Sequence, residues 1–252
     1  MTIDSDDQIE QLKIIGAIVA DVLQAMGKAI EPGMTTLELD NIGGRLLAEK
    51  GAQSAPILSY NFPGATCISI NHCVAHGIPS SCKIKAGDMV NIDVSAEKNG
   101  FFGDTGGSFL VPPTRKRQQQ VCTATRAARD FAVKQVRPDM PLNLIGKAIE
   151  TVARKHGMKI IKNLGSHGVG AALHEEPSFI PSFFEKRDRR MLREGMVITI
   201  EPFLSTKSEK VVEGSDGWSL FTHPDSMTAQ FEHTLIVTRG GPIITTLPTS
   251  TN

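Results

Sequence analysis

A β-hairpin signal at Asn99-Gly100 constrains the fold of this chain more than any other feature. Apolar runs precede and follow that pair, and Asn-Gly between two such runs is a strong short-range hairpin signal. Folding the chain about this turn brings Asp93 and Asp104 within about two residues of being directly opposite each other on the antiparallel pair. The hairpin therefore predicts two neighbouring carboxylates on strands that are otherwise apolar.

Two such carboxylates would repel each other and would resist ionisation when buried. A divalent cation held between them removes this cost. The glycines at positions 103, 106 and 107 leave room for a β-bulge that would bring the two acids into line. One exposed aspartate on each strand is the alternative, and this segment alone leaves both interpretations open.

Length and composition indicate an ordinary globular protein. The chain has 252 residues, 40% hydrophobic and 21% charged, which suffices for one large domain or two small ones. The formal net charge is zero, so we expect neither nucleic-acid recognition nor binding to an anionic membrane. The acidic N-terminus is unlike a signal peptide, and no apolar run approaches membrane-spanning length.

The four cysteines indicate the redox environment. They lie at positions 67, 73, 82 and 122, with neither CxxC nor zinc-finger spacing. We therefore expect free thiols in a reducing compartment, and the cytoplasm is the predicted location.

Apolar residues recur at helical spacing in two pairs of segments. The first pair covers about 7–30 and a helix capped by Thr35 or Thr36 that ends at Gly51. The second pair covers about 118–136 and 142–156. Strand-like runs follow each pair, so helix, helix and strands occur twice in the same order.

An internal similarity accompanies this repeated order. Residues 31–43 and 137–146 share a Pro-x-Met turn, a Leu-x-Leu helix start and an Ile-Gly pair. We interpret them as a duplication, roughly 7–111 and 117–238, within one catalytic domain spanning 1–252. Chance similarity between two helix junctions is the alternative. The duplication predicts an α+β fold, with two half-sheets side by side, helices on one face and the other face free for a site.

The second half of the chain has acidic and histidine residues within segments that otherwise look like buried core. His167 lies in a glycine-rich corner, and Glu201 ends a short apolar strand just before a proline. Glu232 lies on a predicted strand over 228–237 and shares its polar face with Gln230. Each of these acids alone would more commonly be a surface or strand-end residue.

With the hairpin aspartates, these residues form a candidate metal-ligand set: Asp93, Asp104, His167, Glu201 and Glu232. Four carboxylates match the charge of two divalent cations. Oxygen ligands with one imidazole suit Mn, Fe, Co or Zn. Bridging carboxylates would hold two such ions about 3.5–4 Å apart, a spacing at which a shared water is deprotonated near neutral pH.

The segments that carry these residues resemble a known family. The series NIDV and GD, SHGVG and HEEP, ITIEP and AQFEHT is similar to the type I methionine aminopeptidases, which have the pita-bread fold. The similarity extends over nearly the whole chain. It implies a hydrolase that removes the N-terminal methionine from nascent proteins and peptides when the second residue is small. It also implies that a hydroxide shared by two metal ions attacks the first peptide bond.

The resemblance assigns a role to each matching residue. As metal ligands it implies Asp93 on one ion, Asp104 and Glu232 bridging both, and His167 and Glu201 on the other. As catalytic residues it implies His76, His174 and Glu201, the last moving a proton from the attacking water to the leaving amine. As substrate-binding residues it implies His76, His174, Cys67, Phe62 and Trp218.

The chain departs from the family in the pocket for the methionine side chain. Phe62 replaces a frequent tyrosine, Ser59 stands where a second tyrosine is common, Pro56 where a cysteine is common, and Leu173 where a phenylalanine is common. Smaller side chains would enlarge the pocket. An enlarged pocket would admit first residues other than methionine, and a specialised paralogue acting on a particular peptide is a further alternative.

Two other hypotheses for the function are considered beside the methionine aminopeptidase. Prolidase and aminopeptidase P resemble the chain in ligands and fold, but they usually carry a large extra N-terminal domain, whereas only about 60 residues precede the first predicted strand here. A binding protein without activity is expected to have lost ligands, and all five are present. The resemblance implies a monomer that meets nascent polypeptides near the ribosome.

Overall fold

Five helices lie in the part of the chain that the computed structural model describes, residues 1–249. They are α1 (Asp6–Ala29), α2 (Thr36–Glu49), α3 (Ala55–Tyr60), α4 (Lys116–Gln135) and α5 (Asn143–Lys155). The four long helices confirm the predicted ones to within about two residues at each end, and the short α3 is an addition. Within residues 1–249 no helix has the length and apolar character needed to cross a membrane.

The strands in the same part of the chain pair only antiparallel. They are β1 (Gln53–Ser54), β2 (Cys67–Ile70), β3 (Cys73–Ala75), β4 (Met89–Lys98), β5 (Phe101–Leu110), β6 (Lys159–Ile160), β7 (Gly165–Gly168), β8 (Glu175–Pro181), β9 (Val197–Ile200), β10 (Phe203–Ser205), β11 (Val212–Glu213), β12 (Leu220–Phe221), β13 (Thr228–Gln230), β14 (His233–Ile236) and β15 (Ile243–Ile244).

The strands form four sheets rather than the two half-sheets expected. The larger sheets have the orders β1-β4-β2, with β5 also paired to β4, and β15-β14-β9-β7-β8. Two three-stranded sheets have the orders β13-β10-β6 and β11-β12-β3. Helices and antiparallel strands are thus both present in each half of the chain, which confirms the α+β class.

The β4–β5 hairpin is regular and contains no bulge. All ten residues of each strand are paired in register around Asn99 and Gly100, whose φ angles of 55° and 83° lie in the left-handed region that a two-residue turn requires. Asp93 pairs with Gly106 and Asp104 pairs with Ser95. The bulge for which the glycines left room is therefore not needed, because the two aspartates are already diagonal neighbours on one face.

That face points away from α1. A Cβ atom at Gly103 would lie 3.3 Å from the backbone of Ile15 and Gly16, so this side of β5 rests directly on the helix. Because successive strand residues alternate between faces, Asp104 points to the opposite side. The first core lies between helix and sheet and contains, among others, Ile15, Val19, Leu39, Val90 and Ile92.

Helices α4 and α5 cover the second half in a similar way, over a core that includes Val121, Ile145, Ile149, Ile198 and Leu204. The turns that precede α2 and α5 have the same hydrogen bonds. The Gly33 amide donates to Ile84 O, and the Ile84 amide donates to Met34 O, at 2.8 Å each. Asp139 and Leu192 repeat this reciprocal pair at 2.9 Å each. The duplication stays a prediction, which this repeated geometry supports.

Replacing Gly146 by alanine is expected to destabilise the fold by about 3 kcal/mol. Gly146 lies in α5, and an added Cβ would come within 2.1 Å of Phe183 O and 2.5 Å of Pro181 O, backbone atoms that cannot rotate away. The matched control is Gly44→Ala in α2, where the only close atom is the Ala65 methyl group at 3.1 Å. Urea unfolding measures both free energies, and equal values would contradict the packing argument.

Candidate metal centre

Separate elements bring the five predicted metal ligands together: Asp93 on β4, Asp104 on β5, His167 on β7, Glu201 directly after β9 and Glu232 between β13 and β14. His167 Nε2 lies 3.3 Å from Glu201 Oε1 and 3.7 Å from Asp104 Oδ2. Ligand atoms of Asp104, His167 and Glu232 all lie within 4.8 Å of one another. Asp93 and Asp104 lie close enough for each carboxyl group to influence the pKa of the other. We call these five residues the ligand cluster.

The segment 228–237 is not the single strand predicted. It is divided near Glu232 into β13 and β14, which belong to different sheets. The Glu232 amide donates to Gly106 O at 2.9 Å, and Thr105 Oγ1 donates to Glu232 O at 3.0 Å. These bonds turn the backbone onto β5, and they place the Glu232 carboxylate beside Asp104.

A relay of two side-chain amides holds Glu232 in this position. Gln230 Nε2 donates to Glu232 Oε2 at 3.0 Å. Asn91 Nδ2, on β4, donates to Gln230 Oε1 at 2.8 Å. Gly106 makes room for this amide, because a Cβ there would lie 2.4 Å from Gln230 Oε1.

His167 is held as the tautomer that a metal ligand requires. It lies on β7, at a register shift between Ser166 and Gly168, rather than in an irregular corner. Its Nδ1 lies 2.9 Å from Gly168 O, which can only accept, so Nδ1 carries the hydrogen and Nε2 keeps its lone pair. Burial, followed by the nearby His174, lowers the pKa of His167 to about 3, so the ring is uncharged at neutral pH.

The carboxylates of the ligand cluster are suited to a divalent cation. Burial above all, and then repulsion from neighbouring carboxylates, raises the pKa of Asp104, Glu201 and Glu232 well above the ordinary range, and burial raises the pKa of Asp93 to about 6. Among residues 1–249, the buried atoms Asp104 Oδ1 and Glu232 Oε1 find no hydrogen-bond partner. Leaving such atoms unpartnered is costly. A divalent cation would supply both the missing partner and the opposite charge.

Divalent metal is therefore expected to stabilise the fold. At a free Mn²⁺ concentration 100 times the dissociation constant, the gain is about 2.7 kcal/mol. The gain should shrink below pH 6, because protons then compete for carboxylates such as Asp93, whose pKa is raised to about 6. Thermal unfolding with Mn²⁺ and after chelation measures the difference. An unchanged midpoint at pH 7.5 would contradict the assignment of a metal site.

A cavity of about 380 Å³ reaches the ligand cluster. The side chains predicted to bind substrate all line it: Phe62, Cys67, His76, His174 and Trp218. Trp218 meets Phe62 edge to face, with ring centroids 5.2 Å apart. The turn that presents Trp218 is held by the Asp216 carboxylate, which accepts the backbone amides of Trp218 at 2.9 Å and Ser219 at 2.8 Å.

Two uncharged histidines face the cavity. The backbone of His76 has a φ of 52°, a left-handed conformation that is uncommon outside glycine and is often found at functional sites. Both rings are open to the cavity, yet surrounding atoms displace enough water to lower the pKa of His76 and to lower that of His174 to about 4. His174 lies beside His167, with ring centroids 4.1 Å apart.

The structure corrects one part of the predicted pocket. Pro56 and Leu173 line the cavity as expected, whereas Ser59 is exposed and lies outside the lining. Tyr60 takes the lining position, so an aromatic residue is retained one residue further along the chain. Phe203 also lines the cavity and was not predicted from the sequence. Tyr60 could have been found, since it is the only tyrosine of the chain and adjoins a position where the family has one.

A buried cluster of carboxylates and one imidazole, at the end of an apolar cavity lined by neutral histidines, defines a metal-dependent hydrolase. Comparison with known proteins identifies the family. The model named "Metallopeptidase family M24" matches residues 10–239, and the chain belongs to this family.

The relatives agree with that membership. The chain is 48% identical to a methionine aminopeptidase of Staphylococcus epidermidis, with 98% of each chain covered. It is 46% identical to methionine aminopeptidase 2 of Bacillus subtilis, with 98% of this chain and 99% of the relative covered. The crystal structure of methionine aminopeptidase from Rickettsia prowazekii superposes with a TM-score of 0.93 at 33% identity, covering 98% of this chain and all of the other. The predicted pita-bread fold is confirmed.

Proposed function

We propose that this M24 protein removes the N-terminal methionine from polypeptides whose second residue is small. The observation that carries the proposal is the ligand cluster at the end of a cavity lined by Phe62, Cys67 and Trp218. Such a lining suits an apolar side chain. The acidic residues at the same end attract the free α-ammonium group of a first residue. Relatives at 46–48% identity that are named methionine aminopeptidases support this substrate.

The five residues of the ligand cluster would hold two divalent ions drawn from Mn, Fe, Co or Zn. Asp93 would bind one ion, His167 and Glu201 the other, and Asp104 and Glu232 both. The four carboxylates carry four negative charges, which two divalent cations would neutralise, and the imidazole of His167 is uncharged. Bound metal supplies two kinds of chemistry, an acidified water molecule and a polarised carbonyl group.

The remaining chemistry comes from side chains of this protein. Glu201 takes up a proton from the attacking water and delivers it to the nitrogen of the leaving amine. His174 and His76 donate N–H groups to the oxygen on which negative charge develops. Both rings are uncharged at neutral pH, so neither adds a positive charge that would oppose metal binding.

The setting we propose is the cytoplasm, where a monomer would meet the N-termini of nascent polypeptides near the ribosome. The four cysteines at positions 67, 73, 82 and 122 are free thiols, which supports a reducing compartment. Sedimentation with and without ribosomes tests both the monomer and the association.

The peptide test uses metal-stripped protein to which Mn²⁺, Fe²⁺, Co²⁺ or Zn²⁺ is returned. The substrates are Met-Ala-Ser, Leu-Ala-Ser and Ala-Pro-Ser, which differ in the first residue, and the third also has proline as its second residue. We expect rapid, metal-restored release of methionine alone. Equal release of leucine would contradict a strict methionine pocket, and cleavage of Ala-Pro would indicate an Xaa-Pro peptidase. A folded protein that is inactive with every metal would favour a binding protein.

A further inference from the structure

Tyr60 makes a polar contact inside the cavity that none of the assigned roles uses. It is the last residue of α3, and its Oη lies 2.7 Å from Nδ1 of His174. The two ring centroids are 5.6 Å apart. Both residues line the cavity, although the tyrosine is 44% exposed. The hydroxyl therefore reaches His174 from the mouth of the cavity.

Both ends of α3 hold Tyr60 in this position. At the start of the helix, Ser54 Oγ accepts the Ile57 amide at 3.4 Å and donates to Ala65 O at 2.7 Å. At its end, Asn61 takes a left-handed φ of 54°, and its amide donates to Ile57 O at 3.0 Å. The side chain that contacts His174 thus belongs to a capped and terminated helix rather than to a free loop.

His174 has few other groups that could orient its ring. It lies in the irregular segment between β7 and β8, and Tyr60 is its only side-chain hydrogen-bond partner among residues 1–249. Its other close ring neighbour is His167, at 4.1 Å between centroids with the planes tilted by 43°. That contact limits where the ring can lie, but it does not select which nitrogen carries the hydrogen.

We propose that Tyr60 is a positioning residue that donates its O–H to Nδ1 of His174 and thereby keeps the hydrogen of the imidazole on Nε2. An uncharged imidazole has one N–H and one lone pair, so a donor at Nδ1 leaves Nε2 as the donor. The catalytic meaning of this bond rests on the function proposed above, because the Nε2–H is then available to the oxygen of the scissile bond.

The test compares Tyr60→Phe with Ser59→Ala. Tyr60→Phe removes the hydroxyl and keeps the ring, whereas Ser59→Ala removes an exposed hydroxyl one residue away. Long-range ¹H–¹⁵N spectra of the Zn²⁺-loaded, ¹⁵N-labelled full chain report the tautomer of each of the seven histidines. The signal that disappears in His174→Gln identifies His174. Steady-state hydrolysis of Met-Ala-Ser gives kcat and KM for both variants.

We expect a single Nε2–H tautomer of His174 in the parent protein and in Ser59→Ala, and a mixture of tautomers in Tyr60→Phe. We also expect kcat to fall about tenfold in Tyr60→Phe with KM changed less than about twofold. An Nδ1–H tautomer in the parent protein, or an unchanged tautomer in Tyr60→Phe, would overturn the proposal whatever the rates. If no metal restores hydrolysis in the parent protein, the proposed function fails, and the spectra still decide the hydrogen bond.

Discussion

Replacing Asp104 by asparagine is expected to remove most bound metal and to lower the rate of methionine release about a thousandfold, equivalent to about 4 kcal/mol. Asp104 lies at the centre of the ligand cluster, 3.7 Å from His167 Nε2, and burial, followed by repulsion from Glu232 and Asp93, raises its pKa. Its buried Oδ1 has no partner among residues 1–249. Asparagine keeps the size of the side chain but removes the charge that would offset a shared cation.

The experiment measures metal content by atomic emission after gel filtration, together with the rate of Met-Ala-Ser hydrolysis. Asp225→Asn is the matched control, because it makes the same chemical change at a side chain that is 67% exposed. We expect Asp225→Asn to keep both metal and rate. Full metal content in Asp104→Asn would show that this carboxylate is not a ligand, even if the rate were lost.

Replacing His174 by alanine is expected to leave the metal in place and to lower kcat about a hundredfold, the effect of removing one donor to a developing oxyanion. His174 lies beside the ligand His167, but one of its nitrogens is already engaged by Tyr60 at 2.7 Å. The role we propose for His174 is therefore to donate a hydrogen bond rather than to bind metal.

Metal content and kcat are again measured together, with His223→Ala as the control because His223 is 71% exposed. Loss of metal from His174→Ala as complete as that from Asp104→Asn would contradict the separation of roles. A fall in kcat with no loss of metal would support it.

Local patterns predicted much of this fold. The Asn99-Gly100 turn is specified by two residues that tolerate left-handed φ angles, and the register of the hairpin follows from that turn. The cap at Thr35 is likewise local, since its partner Glu38 is three residues away. The diagonal placement of Asp93 and Asp104 could be predicted for the same reason.

Contacts between distant segments decided the rest. The division of the last long strand at Glu232 depends on hydrogen bonds to Thr105 and Gly106, more than a hundred residues away in the chain. Alternating polarity cannot reveal such a partner, so the pattern predicted one continuous strand.

The sequence by itself determined the helices, the hairpin and the candidate ligands, because their signals lie in periodicity, turn residues and short motifs. Only the tertiary structure decided which side chains complete the cavity. Tyr60 lines the cavity in place of the expected Ser59. The short helix α3 directs the Tyr60 side chain toward His174, which lies 114 positions further along the chain. Long-range contacts assemble a site of this kind. The function of each side chain depends on neighbours that are distant in the sequence, and no local pattern specifies them.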